Sequence, residues 1–530
     1  MRRYIFLPLL AAAFAVQAQD TYMNERITNN SSDVIGTARY VGIGGALGAL
    51  GADMSVISWN PAGIGLIRKN DISMTFGGTW GKSSISEENR GKGTVDQAGL
   101  VFNMKTGSEK CPYVNFAFNY QKKINFNHNF YADNGNLGGL SQMDQVAELT
   151  KYSDYDKWTY GEQPNLANLA WDNNYLDPSG QYNGLCDSPA SNVYTHHTEG
   201  SLQSFDFNLS TNINNRAFLG LTVGVDNMRF RGYSWYGEEY FLGNDVIPRY
   251  DLYNDYSISG TGVNVKLGAI IRPIADSPFR FGVVVETPTW YRLKSSTLYS
   301  LRYFDDDYTN NPTDDHVYKT NEYESYLPFN IRSPWKFRTG IGSTIGSTFA
   351  WDVDYEFATY ACTSMGYPKY EDEYDGSTSG NIKDADMNQV TRNNLKNTHT
   401  LRVGLEANAT KNLAFRLGYN LSTSAYEKNI SFDQYSIDSQ AMNYATSTSY
   451  MRMGTTNILT LGMGYRTKSF YVDLAYKLRN QFADFYAFDT SFTNREPFAS
   501  ANSTLVGATI KPMSVDLTRH AITCTLGFKF

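Results

Sequence analysis

Residues 42–48 read Gly-Ile-Gly-Gly-Ala-Leu-Gly, a composition that elsewhere cradles phosphate groups. A dinucleotide loop needs G-x-G-x-x-G between a strand and a helix, because its glycines let the backbone approach the pyrophosphate. Here the third position is Leu47, glycine arrives one place late at Gly48, and no lysine follows at P-loop spacing. That argues against nucleotide chemistry. Of the six histidines (His128, His196, His197, His316, His399, His520), only His196 and His197 are adjacent, close to Cys186 and Asp187. The pair invites a metal or haem reading, yet neighbours along a strand point to opposite faces and rarely share one ion. No metal and no cofactor is expected. Cys111, Cys186, Cys362 and Cys524 lack metal or redox spacing and leave open a Cys186–Cys362 bridge between outer connections. No Ser/His/Asp or paired-carboxylate constellation stands out, so the chain does not read as an enzyme. A net charge of −7 gives no basic footprint for nucleic acid.

The chemistry that does recur is charge at every second residue. Leu413, Phe415, Leu417 and Tyr419 alternate with Ala414, Arg416, Gly418 and Asn420. Phe349, Trp351, Val353, Tyr355 and Phe357 alternate with Ala350, Asp352, Asp354 and Glu356. The same rhythm runs through 219–226, 401–406 and 470–479. A period of two is a strand with unlike faces. The polar faces carry Lys266, Arg280, Glu286, Lys336, Arg338, Asp352, Asp354, Glu356, Arg402, Glu406, Arg416, Asp473, Lys477 and Arg479. Both signs are present, so these side chains read as a salt-bridged wall rather than a charged conduit.

Strands of this kind form either a soluble sandwich or a membrane barrel. In the sandwich the apolar face is the shared core; in the barrel it meets lipid. Strands are predicted near 70–80, 95–105, 113–123, 200–211, 217–231, 256–272, 279–296, 331–345, 347–360, 397–409, 412–425, 452–466, 468–485 and 516–530. Their number is even, and short connections such as Ala409–Asn412 strictly alternate with long ones at 124–199, 232–255, 297–330, 361–396, 426–451 and 486–515. Short turns on one side and long loops on the other is the rule for membrane barrels, and a sandwich gives no reason for it. The chain also ends on an alternating strand whose last residue is Phe530. The expected fold is all-β: a 14-stranded antiparallel transmembrane β-barrel.

Ahead of that barrel, Arg2, Arg3, the apolar stretch 5–16 and Ala15-Val16-Gln17-Ala18 read as an export signal cleaved after Ala18. Residues 19–69 are then too apolar and glycine-rich for a solvated tail. They are expected to sit inside the lumen as a hatch, with 70–530 forming the barrel and its outer loops. Within this run Asn60-Pro61 is a strong breaker: proline fixes its own backbone, and an asparagine amide can hold a turn.

The stretch ARYVGIGGALGALGADMSVISWNPAG, followed at once by a strand, resembles the N-terminal hatch of FadL-type long-chain fatty acid transporters. Asn60, Pro61 and Ala62 match the Asn-Pro-Ala motif of that hatch. SPFRFGVVVETPTWYRLKSS, STFAWDVDYEFATY and THTLRVGLEANATKNLAFRLGY are similar to strands of the same family. The resemblance implies a monomeric barrel in the bacterial outer membrane, among lipid and lipopolysaccharide. It implies passive diffusion of hydrophobic small molecules such as fatty acids, with lateral exit through the wall where the third strand kinks. It also implies an outer groove built by the third and fourth loops. The residues here that would line it are Leu140, Met143 and Val146, at helical spacing, with Trp235, Tyr236, Phe241 and Leu242. Barrels like this family also serve secretion machineries as docking partners, which is the alternative function.

Overall fold

The computed structural model describes residues 33–81, 92–151, 165–172, 189–242, 245–274, 277–304, 317–319, 323–372, 377–430, 445–494 and 504–530. The expected export signal, residues 19–32 of the expected hatch, and Cys186 lie outside them. Among the described residues no helix is long and apolar enough to cross a membrane, which says nothing of strands.

Fourteen antiparallel strands make one closed sheet. They are β1 (Asp71–Gly81), β2 (Lys92–Lys105), β3 (Tyr113–Asn125, continued by His128–Asn134), β4 (Pro189–Ile213), β5 (Ala217–Leu242) and β6 (Asp245–Ile271). Next come β7 (Arg280–Glu286, then Trp290–Phe304), β8 (Tyr323–Arg332, then Lys336–Ile345), β9 (Phe349–Ala358, then Ser364–Asp372) and β10 (Thr398–Asn408). The ring is completed by β11 (Leu413–Ser422), β12 (Tyr450–Arg466), β13 (Phe470–Tyr486) and β14 (Arg519–Lys529). The first and last strands close it, in register from Asp71 opposite Lys529 to Gly81 opposite Arg519. Closure removes the unpaired edge that an open sheet would present.

Burial alternates as the sequence pattern requires. On β1, Ile72, Met74 and Phe76 face out while Asp71, Ser73 and Thr75 are buried. Aromatic residues mark both rims of the apolar band: Trp80, Trp290 and Trp335 at the loop end, Tyr465, Phe470, Phe528 and Phe530 at the turn end. Two prolines break neighbouring strands at one height. Pro288 in β7 and Pro334 in β8 both fall between the pairs Glu286–Lys336 and Trp290–Arg332. Neither has an amide to donate; Ser333 N bridges the break to the Thr289 carbonyl at 3.0 Å.

One expectation fails. Residues 232–255 are not a long loop, because β5 and β6 stay paired from Ala217–Ile271 up to Leu242–Asp245, with one shift at Glu238/Glu239. Alternation carries on there with tyrosines in place of aliphatic residues: Tyr236, Tyr240 and Tyr250 face inward and are buried. Trp235, Tyr236, Phe241 and Leu242 are therefore strand residues. The first half of the 124–199 connection does contain the expected helix, Gln142–Lys151.

Residues 33–67 are almost all buried, Ala52 being exposed, and touch strands around the ring. Glycines set how close they come. A Cβ on Gly418 of β11 would lie 2.1 Å from Gly44 N, and one on Gly220 of β5 would lie 2.3 Å from the Pro61 carbonyl carbon. Backbone meets backbone there, so no rotamer change can make room. Gly418→Val is expected to cost about 2–3 kcal/mol through overpacking, seen as a lower unfolding temperature of the detergent-solubilised protein; an unchanged melt would contradict the close approach.

Candidate functional site

Two regions of the interior can act on a ligand: the polar contacts around the enclosed segment, and an apolar cluster toward the loop end.

Asn60 begins a short 3-10 helix, Pro61–Leu66. Its Oδ1 accepts from Ala62 N at 3.1 Å, and its Nδ2 donates to Gly48 O at 2.6 Å, so one side chain ties two turns of the segment together. The Pro61 carbonyl, which proline leaves free to accept, takes the Ser210 hydroxyl at 2.9 Å. The Asn60-Pro61 bend is thus fastened to β4 as well as to itself.

The inward charges seen in the sequence hold this segment. Asp352 Oδ2 accepts Leu50 N at 2.8 Å and Ala49 N at 3.1 Å; Asp354 Oδ2 accepts Gly48 N at 2.8 Å. These two carboxylates, two residues apart on β9, act as acceptors for consecutive amides of the Gly48–Leu50 turn. Trp59 lies between two guanidinium groups, with Arg402 Cζ 3.5 Å and Arg338 Cζ 4.4 Å from its ring centroid. Its indole N–H donates to Asp354 Oδ2 at 2.9 Å. Arg338 also pairs with Glu286 and Glu356, Arg416 with Glu406 and Asp473, and Glu406 with Arg39 of the segment. Lys266 pairs with Asp206, and Lys477 with Asp33. Eight of the fourteen inward charges named from the sequence pair with an opposite charge in this way, and Asp352 and Asp354 accept backbone amides instead, so the expected salt-bridged wall is present in large part. A polar hollow remains beside Trp59, lined by Tyr40, Gln121, Lys123, Arg338 and Arg402.

Sequence reasoning missed Lys122 and Lys123. Adjacent strand residues should face opposite ways, yet both lysines are buried, bonded to Asp96 and Asp226 respectively. A bulge explains it: β3 slips one residue against β4 between Lys122 and Ile124. At the same height β3 leaves β2, their pairing ending at Gln97–Gln121 although β2 runs on to Lys92. The signal was present in two inward-facing lysines in a row, which no regular strand accommodates.

Toward the loop end, Phe126, Phe130, Leu140, Met143, Val146, Tyr194, Phe230, Tyr236, Tyr256 and Phe485 belong to one buried apolar cluster. It brings Leu140, Met143, Val146 and Tyr236 together. Trp235 faces the opposite side of the sheet, as strand alternation demands, so it does not join them. The side chains of Phe241 and Leu242 lie outside the described residues. His196 enters the cluster, its Nε2 2.8 Å from the Tyr256 hydroxyl, while His197 turns the other way to Asn129. Cys362 is exposed.

The helix Gln142–Lys151 is docked by a buried carboxylate. Glu238 accepts the hydroxyls of Tyr236 and Tyr250, each at 2.7 Å, that of Tyr240 at 2.9 Å, and Gln142 N at 3.2 Å. Burial pushes Glu238 above the ordinary carboxylate range, against the pull of the surrounding hydroxyl donors. A carboxyl that binds its proton more tightly when docked makes docking weaker as pH rises through that range. Protection of the helix from protease is therefore expected to fall as pH rises above the ordinary carboxylate range, and Glu238→Gln to flatten the profile. At the segment, Asn60→Ala removes a cap and a buried hydrogen bond and is expected to cost about 2 kcal/mol, read by thermal unfolding.

No protein-family profile matches the chain, and no curated protein does. Solved structures do. The toluene transporters TbuX of Ralstonia pickettii and TodX of Pseudomonas putida superpose with TM-scores of 0.46 and 0.47, at 12% and 11% identity. Each superposition covers 94% of this chain and 99% of the other. A Pseudomonas aeruginosa FadL homologue superposes with a TM-score of 0.51 at 13% identity, over 94% of this chain and 98% of its own. The closed fourteen-stranded ring described above is thus a barrel of the FadL type in fold.

Proposed function

We propose that the protein is a passive channel of the bacterial outer membrane for hydrophobic small molecules such as long-chain fatty acids, and that residues 19–69 are its hatch. The observation that carries this reading is the departure of β3 from β2 beside the enclosed segment, framed by Asp96, Lys122 and Lys123. A ligand entering from the loop end meets the apolar cluster first, where burial stabilises it by about 0.8 kcal/mol per CH2. Below lies the hollow next to Trp59, whose Lys123, Arg338 and Arg402 suit a carboxylate headgroup. Lateral exit at the third strand would spare the acyl chain a passage through the charged ring beneath. Leu140, Met143, Val146 and Tyr236 are the groove residues of this proposal, and Asn60, Pro61 and Ala62 fix the bend that the hatch turns on.

The full chain in liposomes is expected to take up labelled oleate and to give no swelling with arabinose. Deleting Lys123 together with Asp226→Asn restores a single register between β3 and β4 and removes the charge left behind. This variant is expected to lose oleate uptake several-fold while retaining its folded mobility on gels. Unchanged uptake in a folded variant would remove lateral exit from the proposal, and arabinose swelling would replace the channel class with a porin.

A further inference from the structure

Among the described residues, the outward face of the barrel carries a cluster of cations just above the apolar band. Along β6, exposed Leu267 and Val263 give way to Thr261, Ser259 and Ser257. Register places Arg229 of β5 and Lys294 of β7 on either side of Ser259, and Arg292 beside Thr261. Arg332 of β8 stands opposite Trp290, one outward position below Arg292. Arg229, Arg292, Lys294 and Arg332 are all exposed.

Height and charge balance make the patch unusual. About ten residues separate Ile271 at the turn end from Thr261, which at the rise and tilt of barrel strands is a climb of about 25 Å, the thickness of the apolar band. Arg229, Arg292 and Lys294 thus stand at the headgroup level above the interfacial Trp290, with Arg332 level with that ring. Arg231, the next outward residue on β5, is paired with Asp255 at 2.6 Å. Arg229, Arg292 and Lys294 form no ion pair among the described residues, and Arg332 donates only to the Cys362 carbonyl at 3.3 Å. Elsewhere on the rim the described outward contacts include Tyr355 with His399, Tyr419 with Asn457 and Tyr476 with His520.

We propose that Arg229, Arg292, Lys294 and Arg332, with the hydroxyls of Ser259 and Thr261 between them, bind the phosphate groups of a phosphorylated glycolipid in the outer leaflet. The assignment rests on the outer-membrane reading above and on nothing in the transport path. Two strand spacings put Arg229 and Lys294 about 10 Å apart at the backbone, so long side chains from both flanks reach a common anion over the hydroxyl row. Guanidinium groups are the natural partners of phosphate oxygens, and basic residues at a membrane surface attract anionic headgroups. The exposed Leu267 and Val263 beneath them supply apolar wall for the acyl chains of the same molecule. A free phosphate would gain from the cations but not from that wall.

The test uses the full chain in detergent micelles, with lipid adducts counted by native mass spectrometry. The probes are bis-phosphorylated lipid A, monophosphoryl lipid A and a neutral glycolipid. Wild type is expected to retain bis-phosphorylated lipid A best and the neutral glycolipid least. Arg229→Ala/Lys294→Ala is expected to weaken lipid A binding by at least about tenfold, as loss of about 1 kcal/mol per basic residue implies. Lys105→Ala/Lys411→Ala removes equal charge at the turn end, where both lysines are exposed, and is expected to leave binding unchanged. Equal binding by the rim variant and wild type, equal losses in both variants, displacement of lipid A by inorganic phosphate alone, or no preference among the probes would each overturn the site. Membrane fractionation and oleate uptake of the rim variant report separately on the outer-membrane and channel readings: uptake at the wild-type level with lost lipid binding leaves both standing.

Discussion

A sheet whose outer face is apolar is suited to lipid, where each backbone amide or carbonyl left unpaired is costly because no water is there to satisfy it. Everything else in this protein follows from that. The ladder must return to its own first strand, and β14 does so by pairing with β1 along its whole length. Where proline removes a donor in β7 and β8, a serine amide and a neighbouring carbonyl take over. Closing the ring creates an interior, and the polar half of every strand is turned into it.

That interior is filled in two registers. Near the turn end it is ionic: carboxylates of β9 accept the amides of the Gly48–Leu50 turn, and arginines of β8 and β10 flank Trp59. Buried ion pairs contribute little net stability, since each charge is removed from water, but breaking one leaves its partner stranded. Such a network defines a position more than it deepens a well, which suits a segment that must be held in one place. Toward the loop end the filling is aromatic and aliphatic, with a carboxylate shared by three tyrosine hydroxyls anchoring the loop helix. The gap between β2 and β3 lies where the two kinds of filling meet.

Much of this is legible in the sequence. Strict alternation along 349–357, 413–420 and 470–479 set each strand's faces, and the inward charges were named from it. The turn-end hairpins were legible because short connections permit only antiparallel neighbours. What failed failed at the loop end. There tyrosine replaces leucine on the inward face, and its hydroxyl makes a buried strand read as a polar loop; Tyr236, Tyr240 and Tyr250 hid the upper half of β5 and β6 in this way. The bulge at Lys123 was equally hard to see, since period-two reasoning has no place for an extra residue. Contacts distant in sequence, such as Trp59 between Arg338 and Arg402, leave no local trace at all.

The approach of Gly44 to Gly418, and of Pro61 to Gly220, also sets how the contents of the cylinder can rearrange. With peptide group against peptide group, neither surface can yield by turning a side chain. Any displacement of the amino-terminal stretch along the wall at these points has to carry its backbone with it as a block, so adjustment there is a rigid-body step rather than a local one.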